Sequence, residues 1–87
     1  MSWQAVKWAR ATRGHRSPGQ KTVLFILAEY ANKDTNQSWP SIKTLVEDAE
    51  MSKRAVINAT NNLEQMGLIT RLQHGNQHQQ RVYQLNL

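Results

Sequence analysis

Arg54, Asn58, Asn61 and Gln65 follow one another at intervals of four, three and four residues. On a helix that spacing gathers all four on one face, because successive residues turn by about 100°. An arginine carries a planar donor fork that fits guanine O6 and N7, and an asparagine carries the donor-acceptor pair that fits adenine N6 and N7. The chemistry within reach is therefore the reading of base edges. Any exposed helix face is polar, but asparagine is a poor helix former with little local reason to recur. Ile57 projects near the edge of the same face, placed either to touch a thymine methyl or to cover the first helix turn.

A helix from about Ser52 to Met66 is needed to hold these side chains. Its buried stripe is Val56, Ala59, Thr60, Leu63 and Met66, with Ser52 as cap and Gly67 ending it in the left-handed conformation. A shorter helix precedes it across a tight turn, capped by Ser41 and carrying Ile42, Leu45, Val46 and Ala49 at amphipathic spacing. Upstream, Ser17 and Pro18 open a helix that runs to about Asn32, with Val23, Leu24, Leu27, Ala28 and Ala31 as its stripe. Ser2, Trp3, Val6 and Ala9 predict a first helix over about 3–11. Lys33 to Ser38 reads as a polar connector. Beyond Gly67 the pattern alternates, so Leu68–Gln73 and Gln80–Leu87 predict a β-hairpin, with Tyr83, Leu85 and Leu87 facing the helices. The expected fold class is α+β, mainly α, in the order α-α-α-α-β-β and as a single domain over 1–87.

The chain of 87 residues carries a net charge of +5, with no cysteine and no apolar run long enough to span a bilayer. Residues 1–21 hold Lys7, Arg10, Arg13, Arg16 and Lys21 with no acid, whereas residues 22–50 hold two bases against five acids. Residues 51–87 hold four bases and one acid. A basic chain with its charge so patterned favours a polyanionic partner. The basic N-terminal segment either adds a second electrostatic footprint or solvates the outer face. Little supports catalysis. His74 and His78 stand four apart, but the glycine and asparagine between them favour a turn over a metal-binding helix. Asp48 and Glu50 lack a third ligand, and no glycine-rich phosphate loop is present. No enzyme activity, metal or other cofactor is expected. Trp3, Trp8 and Trp39 are expected in the core rather than stacked on bases. The first residues do not read as a targeting signal, so a cytoplasmic setting is expected.

The run from Ser38-Trp39-Pro40-Ser41-Ile42 and Leu45 through Met51-Ser52-Lys53-Arg54-Ala55-Val56, Leu63-Glu64 and Gly67-Leu68-Ile69 resembles the winged helix-turn-helix domains of bacteriophage and plasmid replication proteins. Tyr30-Ala31-Asn32 and Arg81-Val82-Tyr83-Gln84-Leu85 extend the likeness over almost the whole chain. Glu50 departs from it, standing where such domains usually place glycine. The resemblance implies sequence-directed duplex DNA binding in a bacterial cytoplasm, with the helix-turn-helix at about 41–66 and a C-terminal β-hairpin wing at about 68–87. Arg54, Asn58, Asn61 and Gln65 would then contact bases, and Ser41, Lys43, Thr44, Ser52 and Lys53 the backbone. Arg71, His74, Asn76, His78 and Arg81 would contact DNA from the wing. A homodimer on repeated or palindromic sites, and replication or transcription proteins, are the further partners this reading allows; no membrane is expected. The rival reading is a protein-interaction module, favoured by the acidic stretch Glu47-Asp48-Ala49-Glu50 beside the turn.

Overall fold

Four serines open four helices. Ser2, Ser17, Ser41 and Ser52 each sit in extended backbone and accept a hydrogen bond from the amide three residues ahead, beginning α1 (Trp3–Ala11), α2 (Pro18–Tyr30), α3 (Ile42–Ala49) and α4 (Lys53–Gln65). Each such cap satisfies an amide that the helix itself leaves unpaired, worth about 0.5–2 kcal/mol. The computed structural model describes residues 2–73 and 81–87, and adds three strands, β1 (Gln37–Ser38), β2 (Ile69–Gln73) and β3 (Val82–Leu85).

α2 is the centre of the packing and touches α1, α3, α4 and β1. Its stripe of Val23, Leu24, Leu27, Ala28 and the following Ala31 is wholly buried, as the spacing predicts. Leu45 of α3 and Val56, Ala59 and Leu63 of α4 complete the helical core, and Ile69, Tyr83 and Leu85 close it from the sheet. The strands run antiparallel in the order β1-β3-β2, with Ser38 opposite Tyr83, Ile69 opposite Leu85 and Arg71 opposite Tyr83. A register irregularity falls between Arg71 and Gln73.

Four expectations are corrected. The observed order is α-α-β-α-α-β-β, because Gln37 and Ser38 leave the polar connector to pair with β3. Two residues carry too little pattern to show as a strand, and β1 is held by partners distant in sequence: Ser38 Oγ donates to the Leu27 carbonyl at 2.8 Å. α2 stops at Tyr30 rather than Asn32, since the Asn32 side chain accepts from the amides of Asp34 and Thr35 and draws the chain into a turn. Trp3 and Trp39 are exposed, at 61% and 45%, and only Trp8 packs against the core. Trp3 lies off the arc of Ala5, Val6 and Ala9, and Trp39 points outward between buried Ser38 and Pro40, as alternation in extended chain requires. Leu87 shares the phase of Tyr83 and Leu85 but lies past the end of β3, where it is half exposed.

Two helix ends share one geometry with different residues. After α4, Gly67 turns left-handed at φ 78°, its amide donating to Glu64 and that of Leu68 to the Leu63 carbonyl. After α3, Glu50 adopts φ 53° and ψ 45°, and the Met51 amide donates to the Val46 carbonyl. The left-handed conformation suits glycine and costs a residue with a Cβ about 1–2 kcal/mol, offset in part by glycine's greater freedom in the unfolded chain. Glu50→Gly is therefore expected to raise the unfolding free energy by about 0.5–1 kcal/mol in urea titrations.

Candidate nucleic-acid interface

α4 turns Val56, Ala59, Thr60 and Leu63 into the core, which leaves Arg54, Asn58, Asn61 and Gln65 exposed together on the opposite face. Arg54, Asn58 and Gln65 are exposed, and among the described residues none of their side chains has a hydrogen-bond partner. Asn61 differs, because its Oδ1 accepts from Arg71 Nη2 at 2.9 Å. Arg71 lies in β2 with its side chain only 12% exposed, 4.0 Å from the Glu64 carboxylate, and its own amide donates to Glu64 Oε2. Arg71 thus straps β2 to α4. Ile57 is half-buried at the edge of the face. Arg81 is half-buried just before β3, and His74, Asn76 and His78 fall outside the described residues.

The starts of α3 and α4 flank this face with their amide ends. Ser41 Oγ accepts from the Thr44 amide at 3.0 Å and donates to Thr44 Oγ1 at 3.0 Å, so its proton is used within the cap. Ser52 Oγ accepts from the Ala55 amide, and among the described residues its proton has no acceptor. Capping and donation to an anion are therefore compatible at Ser52. Lys43 and Lys53 stand at one cleft of about 300 Å³ floored by Ile42 and Val46. The two lysines come from different helices and converge there because α3 and α4 pack at the tight turn.

Sequence reasoning missed the aromatic side of the α3 start. Tyr30 and Trp39, both exposed, frame a hollow of about 360 Å³ with Pro40, Ser41 and Thr44. The Tyr30 hydroxyl donates to Asp48 Oδ2 at 2.7 Å, and this bond to a carboxylate holds its pKa above the ordinary value. The alternation of small Ser38, large Trp39 and rigid Pro40 was the available signal, and it was outweighed by the general preference of tryptophan for cores.

Much of the basic N-terminal segment is engaged within the fold. Arg13 Nη1 donates to the carbonyls of Arg10, Ala11 and Thr12, and Lys21 Nζ to that of Thr12, so both cations cap the C-terminal end of α1. Lys7 Nζ lies 5.8 Å from the Trp3 ring centroid. His15 Nε2 is 3.1 Å from Thr12 Oγ1, whose own proton goes to the Ala9 carbonyl, so the imidazole donates through Nε2 and keeps Nδ1 bare. Burial, and then the charge of Lys21, lower the His15 pKa from 6.5. The unfolded chain therefore binds a proton at this residue more readily than the folded one, and stability contributed by neutral His15 is lost as pH falls below about 6.5. Wild-type protein is expected to lose more unfolding free energy than His15→Gln between about pH 7.5 and 5.5, measured by urea titration.

Residues 17–69, more than half of the chain, match a family described as a helix-turn-helix domain. Searches of curated proteins and of solved structures gave no match. The matched segment runs from the α2 cap through α3, the turn and α4 to the first residue of β2, and so contains the whole exposed face and both flanking helix starts. Such domains lay their second helix in the DNA major groove, which makes DNA the implied partner. The chain belongs to the helix-turn-helix domain family.

Proposed function

We propose that this domain reads a specific duplex DNA sequence, with α4 in the major groove, α3 braced on the backbone and the β2–β3 pair acting as a wing on the flank. The observation that carries the reading is the face of α4. Arg54, Asn58 and Gln65 lie exposed and unengaged by other described side chains, directly opposite the buried stripe. α4 has 13 residues and is about 20 Å long, a length of helix that the major groove, about 12 Å wide, admits. Lys43, Lys53, Thr44 and Ser52 would meet phosphates on either side, and Trp39 and Tyr30 would lie over the adjoining backbone. With the likeness to phage and plasmid replication proteins, the role proposed is replication initiation at a mobile element's origin, or control of transcription by the same surface.

Fluorescence anisotropy of a labelled random-sequence duplex, with selected sequences as competitors across a salt series, tests this. Salt-dependent binding displaced far better by some sequences is expected, and no binding at low salt would overturn the reading. Arg54→Ala and Asn58→Ala should each remove about 1–3 kcal/mol of discrimination at one base position. Asn61→Ala should remove less, since its acceptor is already held by Arg71. Lys43→Ala and Lys53→Ala should weaken all sequences alike and each reduce the salt slope by about one.

A further inference from the structure

The first helix presents a patch that the DNA-reading face does not use. α1 packs on α2 through Ala5, Val6 and Ala9, which leaves Trp3, Lys7 and Arg10, spaced four and three apart, on its outer face. Trp3 is 61% exposed, and Lys7 lies over its ring, so the indole and the cation form one amphipathic patch. Arg10 has no side-chain partner among the described residues.

A surface of the opposite character lies on α2 and α3. Phe25 and Ile26 floor a groove of about 370 Å³ whose lining includes Glu29 and Asp48. Asp48 Oδ2 accepts from Tyr30, which leaves its other oxygen available. Lys21 also lines the groove, but its ammonium donates to the Thr12 carbonyl and is thereby drawn to the end of α1.

We propose that a second copy of this chain docks its Trp3–Lys7–Arg10 face into the Phe25–Ile26–Glu29–Asp48 groove. The indole meets the apolar floor and the two cations meet the two carboxylates. The complementarity is local: Lys7 and Arg10 stand on one face and Glu29 and Asp48 at the other. The contact joins two different surfaces, so it is head-to-tail and leaves a free surface of each kind at the two ends. One helix face in one groove is a small contact, and association in free solution is weak and sensitive to salt. On DNA, neighbouring copies would be held at high effective concentration. That consequence rests on the DNA-binding reading: a head-to-tail contact suits directly repeated sites in one orientation, whereas a palindrome needs a two-fold contact.

Sedimentation equilibrium of the whole chain without DNA tests the association separately from DNA binding. At low salt the weight-average mass should rise with concentration above the 10.0 kDa of one chain, and should fall back as salt is added. The double reversals Lys7→Glu/Arg10→Glu and Glu29→Lys/Asp48→Lys should each abolish the rise, and an equimolar mixture of the two should restore it. Trp3→Ala removes only an exposed ring and should weaken association about tenfold. Circular dichroism checks that each variant is folded. Wild-type protein that stays at the monomer mass throughout overturns the proposal, as does association unaffected by the reversals or by Trp3→Ala, or a mixture of folded variants that stays monomeric.

Discussion

The direction of α4 depends on three residues. Glu50, Met51 and Ser52 separate the end of α3 from the start of α4, and Glu50 reverses the chain in a left-handed conformation that a side chain adopts only at a cost. From outside, the turn is packed against the start of α2. A Cβ placed on Gly19 would come within 2.8 Å of Met51 Cε, so the first turn of α2 and the turn between α3 and α4 lie in close contact, and a side chain at residue 19 would require the Met51 methyl to move aside. The convergence of Lys43 and Lys53 follows from the packing of α3 on α4 across this turn, and the outward aim of Arg54 and Asn58 from the burial of the opposite stripe of α4. A small displacement at Glu50 would be carried along the whole of α4, since a helix transmits rotation at its start to every residue after it.

The helices were legible because each is specified twice, by a serine at its start and by an apolar stripe along its length. Where one signal stood alone, the reading drifted. The alternation in Val82–Leu85 placed Tyr83 and Leu85 correctly, but it could not show that the strand ends before Leu87, because nothing in the pattern says where the covering helices stop. β1 was invisible for a different reason. Its two residues are polar, and what makes them a strand is the pairing of Gln37 and Ser38 with Gln84 and Tyr83, nearly fifty residues away. At the candidate site, the face of α4 followed from the helical period alone. The strap from Arg71 to Asn61 did not, because it depends on how the sheet lies against the helix.

Charge behaved similarly. Counted along the chain, the first 21 residues form a block of five cations facing solvent or a polyanion. In the fold, Arg13 and Lys21 neutralise the negative end of α1 and so contribute to holding α1 and α2 together, while Lys7 is paired with an indole. The field outside the protein is therefore weaker and more local than the sum suggests. Within about a Debye length of the surface it is set by exposed cations with no side-chain partner among the described residues, such as Arg10, Arg16, Lys33, Lys43, Lys53 and Arg54.

The strap on Asn61 also bears on the entropy of recognition. A side chain that reads a base has to give up its rotational freedom when it docks, an ordering cost of about 0.5–1.5 kcal/mol for each group immobilised, and asparagine with two torsions lies toward the lower end. Asn61 has already lost much of that freedom on folding, because Arg71 holds its oxygen and thereby orients its amide nitrogen away from the strap. In the proposed DNA-reading mode it would meet a groove as a pre-set donor, whereas Asn58, with no side-chain partner among the described residues, would present either end of its amide. Two identical residues on one face thus differ in how rigidly they are held, and the difference is written in a strand that follows the helix.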